Sequence, residues 1–155
     1  MSLIKVLIKL RARTWMERGL LLEAFVWLGM MRMAVLLVSF QRIANYMRLT
    51  RKEATPAFPA PLQTRVASGI GWAVQAAAAR TPWESACLTQ ALVGMVMLQR
   101  RGIPGILYLG VAKNLDTTIN MAAHAWLKCG GDIITGGSGH ERFSVISTFV
   151  GNCCR

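Results

Sequence analysis

Acidic residues are scarce in this chain: seven Asp and Glu stand against 18 Lys and Arg, a formal charge of +11. Such an imbalance suits an anionic partner, whether a membrane surface, an acidic peptide or nucleic acid. Aromatic and basic residues do not interleave as in base-stacking surfaces, and no nucleic-acid-binding motif is present, so nucleic acid ranks last. Cysteine is limited to Cys87, Cys129, Cys153 and Cys154. Neither these nor His124 and His140 fall at a zinc-binding spacing, so no metal is expected. The glycines of GGDIITGGSG lack the lysine and the strand-turn-helix setting of a phosphate loop and read as turn punctuation. The early apolar run has no small-residue cleavage site and is interrupted by Glu23 and Arg32, which argues against a signal peptide. Free thiols in a reducing cytoplasm are the expectation.

What is present divides the chain unevenly. Ten of the 18 basic residues lie in the first 52 positions, mixed with a long apolar run from Gly19 to Phe40. The run has the length of a membrane span, but Arg32 lies near its middle, where insertion costs roughly 2.5 to 3.5 kcal/mol. Residues 1–50 therefore read as a basic, apolar helical arm that packs on protein or lies on the inner face of the membrane. Three of the five prolines fall between Pro56 and Pro61, and residues 51–62 read as an extended linker. Residues 63–155 then form the compact unit, large enough to bury a core without staples.

Val66, Ile70, Val74 and Ala77 recur at helical spacing. A second helix is expected to start at Thr81, Pro82 and Glu84 as cap, first-turn proline and capping-box acid, with Ser85 as an alternative cap, and to end at Gly102. From Ile103 onward short β-rich runs alternate with Gly, Asn and Asp, with Gly130 and Gly131 as a hairpin turn. Helices followed by strands indicate an α+β domain with an antiparallel sheet.

Two residues suit nucleophilic chemistry. Cys87 lies early in the second helix, where the positive end of the helix dipole favours thiolate, and His124 lies within a strand, where an imidazole can serve as its base. Ala91 and Gly94 follow Cys87 on one helical face and are small enough to let a sheet approach. An orienting group for the imidazole is less evident. With Gly130 and Gly131 in the turn, Asp132 pairs with Cys129, roughly 16 Å along the strand from His124 and on the opposite face. The positions beside His124 are then near Gly136 and Gly137. Glu141, Thr135 and a backbone carbonyl are the alternatives.

The blocks PWESACLTQALVGMVMLQRRGIPGILYLGVAK and AAHAWLKCGGDIITGG resemble the signature blocks of the lasso-peptide leader peptidases, a branch of the transglutaminase-like, papain-like cysteine peptidases. The matching segments are Cys87-Leu88, the turn Arg101-Gly102-Ile103, and the strand Ala123-His124-Ala125-Trp126. The resemblance implies a nucleophile helix packed on an antiparallel sheet, with Cys87 as nucleophile and His124 as general base. It also implies a third residue, usually an Asp after the histidine, leaving Asp132 or Glu141 here. It implies removal of the leader from a ribosomally made precursor peptide, without a cofactor, in concert with an asparagine-synthetase-like cyclase. About 50 residues before the linker read as helix, without the strands of a leader-recognition domain, so a separate leader-binding protein is expected. Two alternatives stand beside this: a transglutaminase-type acyl transferase, and a non-catalytic adaptor tethering a biosynthetic complex to the membrane.

Overall fold

A computed structural model describes residues 15–51, 59–82, 86–113 and 121–151. Its elements in chain order are α1 (Trp15–Leu37), α2 (Phe40–Tyr46), β1 (Leu49–Arg51), α3 (Pro61–Ala78), α4 (Cys87–Gln99), β2 (Ile106–Lys113), β3 (Met121–Cys129), β4 (Asp132–Thr135), a 3-10 turn (His140–Arg142) and β5 (Ser144–Gly151). The strands form one antiparallel sheet in the order β1-β5-β2-β3-β4, an α+β architecture.

Helix α3 begins where proline permits. Pro61 occupies its first turn, where no amide donor is required, and the Gln63 side chain accepts from the Ala60 N–H at 3.0 Å. Its stripe Ala67, Ile70, Val74 and Ala77 is buried, as the 3.6-residue period requires. Helix α4 starts later than expected, at Cys87 with Ala86 as its N-cap residue. The Thr81 hydroxyl donates to the Ala78 carbonyl at 2.9 Å at the end of α3. Glu84 and Ser85, the expected capping-box acid and the alternative cap, lie outside the described residues. Almost every residue from Ala91 to Leu98 is buried, because α4 lies between the other helices and the sheet.

The helices cover one face of the sheet. A Cβ built on Gly94 would fall 2.7 Å from Leu127 Cδ2, so glycine lets α4 lie directly on β3. Leu107, Ala125, Leu127, Cys129 and Phe149 belong to the helix-side core, with Leu92, Met95 and Leu98 facing them. The expected hairpin forms at Gly130 and Gly131, with Gly130 at φ +59 and Cys129 opposite Asp132.

The arm does not form a separate layer. Leu20, Ala24, Leu28 and Met31 of α1 enter the same core cluster as α3 and α4, and Glu23 bridges Arg100 and Arg101 beyond the end of α4. Strand β1 extends the sheet by pairing Leu49 with Gly151 and Arg51 with Phe149. The described residues on either side of 52–58 thus pack into the same core and sheet. Arg51 is strand and Pro61 and Leu62 are helix, while 52–58 lie outside the described residues. Helix α1 is apolar along most of its length and gains by burying one face against the core.

Candidate active site

Cys87 is the first residue of α4, half-buried, with its side chain against the helix-side core. Ala86 supplies no side-chain cap, and the first amide bonded back into the helix is that of Gln90, to Ala86 O at 3.1 Å. The turn bearing the thiol therefore presents backbone N–H donors and the positive end of the helix dipole.

His124 lies on β3 opposite Gly110. Alternation along the strand sends its side chain to the face away from the helices, since Ala125 and Leu127 occupy the helix side. The ring contacts agree. His124 lies 4.9 Å from Phe143 and 5.9 Å from Trp126, centroid to centroid, and Trp126 stacks on Tyr108 at 5.6 Å and 5°. A Cβ on Gly110 would meet the Trp126 ring at 2.9 Å, placing that ring over the same outer face. His140 completes the cluster, 5.7 Å from Trp126.

The imidazole has a defined orienting partner. Nε2 lies 2.8 Å from the Gly136 carbonyl oxygen, which can only accept, so Nε2 carries the proton and the lone pair of the neutral ring is on Nδ1. Gly136 reaches this position through a break in the ladder: pairing shifts between Leu127 and Lys128, placing Leu127 opposite Thr135. Gly136 then turns inward at φ +74, and any Cβ there would collide with the Ala125 carbonyl. Sequence reasoning allowed for a backbone carbonyl but could not select one, because every residue carries that group.

The side-chain candidates lie elsewhere. Asp132 is exposed at the hairpin opposite Cys129, at the far end of the strand from His124. Glu141 is 71% exposed and lies 3.2 Å from His140 Nδ1, which also meets the Gly137 carbonyl at 2.8 Å. Thr135 is fully buried on the helix side, with its methyl toward Gly94 and its hydroxyl unpaired. None of the three contacts the imidazole in the described structure, where the Gly136 carbonyl is its hydrogen-bond partner. Among the described residues no group of three His, Cys, Asp or Glu side chains could hold a metal, and Cys153 and Cys154 lie outside them.

The helix and strand bring Cys87 and His124 to one end of the sheet but to different faces. The C-terminal end of α4 lies beside Gly105 and Gly151, so its N-terminus points toward the His124 end of β3. From Gly94, which abuts Leu127, back to Cys87 is about 10 Å along the helix, and from Leu127 to His124 about 10 Å along the strand. Strand β4 pairs with β3 only from Leu127 to Cys129, leaving the His124 half of that edge without a ladder partner among the described residues.

The described fold is thus an antiparallel sheet covered on one face by helices, with Cys87 at a helix start and His124 on a strand. The family model for the transglutaminase-like superfamily matches residues 27–148, most of the chain, including the C-terminal half of α1. The chain belongs to the transglutaminase-like superfamily, which includes cysteine peptidases and acyltransferases. No curated protein and no solved structure matches it.

Proposed function

We propose that this chain is a cysteine peptidase that removes the leader from a ribosomally made lasso-peptide precursor. The observation that carries the reading is the uncapped start of α4, with Cys87 as its first residue, at the same end of the sheet as an imidazole held through Nε2. That tautomer leaves Nδ1 as the base. Catalysis in this reading requires a second conformation, in which the imidazole leaves the Gly136 carbonyl and the outer-face rings and meets the sulfur at the end of the sheet that the two residues share.

In this mechanism Nδ1 accepts the thiol proton, and the thiolate attacks the carbonyl at the leader–core junction. The oxyanion takes hydrogen bonds from backbone N–H groups in the first turn of α4. Collapse of the tetrahedral intermediate breaks the C–N bond, and the core amine leaves with the proton from the imidazolium. Water, deprotonated by the same imidazole, then hydrolyses the thioester and frees the leader. The released amine is the group that an asparagine-synthetase-like cyclase joins to an acidic side chain of the core, using ATP. A separate small protein captures the leader.

The test is the mass of a candidate precursor incubated with this chain and a leader-binding partner. Cleavage at one junction, lost with Cys87→Ala, supports the peptidase. A product with an intact backbone and a new side-chain linkage supports acyl transfer instead. One observation favours a non-catalytic adaptor: the His124 ring is held on the outer face by Phe143, Trp126 and the Gly136 carbonyl. An intact precursor with both wild type and Cys87→Ala, although the partner binds leader, supports that reading.

A further inference from the structure

Helix α1 is only half used by the fold. Leu20, Ala24, Leu28 and Met31 lock one side of it into the core, but the opposite arc, Leu22, Phe25, Val26, Met30, Met33 and Leu37, is 41–75% exposed. These six project within one broad sector of the helical wheel, so the exposed surface is an apolar strip running from Leu22 to Leu37. Met30 carries that strip into a cavity of about 820 Å³ between α1, α2 and the end of α4, floored by Met31, Ile43 and Val96.

Positive charge rims the opening. Arg42, Arg48 and Arg100 line it, and neither Arg42 nor Arg48 meets a carboxylate among the described residues, whereas Arg100 is 3.3 Å from Glu23. Arg48 holds the only non-glycine positive φ among the described residues, +51, at the turn from α2 into β1. Trp15 and Tyr46 are 86% and 92% exposed. Both are aromatics with a polar tip, suited to the boundary between hydrocarbon and water. Lys5, Lys9, Arg11 and Arg13 precede the helix in sequence, with no acid among them.

We infer that this strip and groove form a peripheral docking surface for an anionic phospholipid bilayer, with α1 lying in the plane of the membrane. Apolar side chains enter the acyl boundary, one lipid chain occupies the groove, and Arg42 and Arg48 hold phosphate headgroups at its mouth. Charge complementarity selects lipid: the patch is apolar at its centre and cationic at its rim, as an anionic leaflet requires. A transmembrane orientation of α1 is disfavoured because it would strip Leu20, Ala24, Leu28 and Met31 from the core and leave Glu23 apart from Arg100 and Arg101.

Co-sedimentation of the full chain with phosphatidylcholine vesicles, with and without phosphatidylglycerol, tests the inference. Binding is expected only to the anionic vesicles at low salt, weakening as salt rises. Arg42→Gln with Arg48→Gln should weaken it by roughly 30-fold, the equivalent of about 1 kcal/mol for each arginine at the surface. Val26→Glu with Met33→Glu, both exposed, should abolish it while circular dichroism stays unchanged. No binding to anionic vesicles by folded protein overturns the inference. So does binding that both double variants leave intact, and so does a dimer in sedimentation that Val26→Glu with Met33→Glu dissociates, because a second copy would then be the occupant. Vesicle binding does not depend on Cys87, so either outcome leaves the peptidase reading to its own test.

Discussion

The two faces of the five-stranded sheet do different work. On the helix side, Leu107, Ala125, Leu127 and Phe149 pack against α4 in an aliphatic core that gains stability by excluding water. On the outer side, Tyr108, Trp126, His124, Phe143 and His140 form a chain of ring contacts in which both imidazoles are hydrogen-bonded to backbone carbonyls. One face holds the thiol and the other the imidazole. The helix side thus fixes the fold and the position of Cys87, while the outer side fixes the tautomer and orientation of His124.

Substitutions should separate these roles, beginning with the largest effect. Cys87→Ala should lower precursor cleavage at least a thousandfold in a mass-spectrometric time course, with the urea midpoint unchanged, because it removes the nucleophile and little packing. Leu127→Ala, on the helix side, should instead cost about 2–5 kcal/mol in urea unfolding, since the Leu127 side chain is fully buried against Gly94 and Gly105. Gly136→Ala should cost roughly 1–3 kcal/mol and also lower cleavage, because it strains a positive-φ residue and displaces the carbonyl that holds Nε2. At the small end, Asp132→Asn and Glu141→Gln should change cleavage less than about threefold and stability by under about 0.5 kcal/mol. A large loss at either would mean that a carboxylate, and not the Gly136 carbonyl, orients the imidazole.

The parts legible in sequence were those set by short-range periodicity. The stripe Val66, Ile70, Val74 and Ala77 gave α3, and the paired glycines gave the β3–β4 hairpin, because local spacing determines both. Alternation placed His124 and Trp126 on one face and Asp132 away from the imidazole. It could not say which face α4 would cover, which depends on how the helices pack. The α4 helix was expected from Thr81 and is described from Cys87, where nothing in the sequence marks Ala86 as a cap. For the arm, packing on protein and lying on a membrane both remained open, because a run of apolar residues does not reveal what covers it. Here Leu20, Ala24, Leu28 and Met31 find the core of the domain. The shifted pairing at Leu127 has no local signature, and with it the choice of Gly136 as the imidazole's partner was hidden.

The central claim is that Cys87 and His124, set on different faces at one end of the sheet, act as one catalytic unit. The most direct measurement is a double-substitution cycle on precursor cleavage with Cys87→Ala, His124→Ala and both together, each protein checked for native circular dichroism. A single unit predicts that the double variant loses no more activity than Cys87→Ala alone, and that His124→Ala by itself is severely impaired. Full cleavage by His124→Ala, or losses that multiply in the double variant, would contradict it and leave the imidazole as part of the outer-face ring cluster.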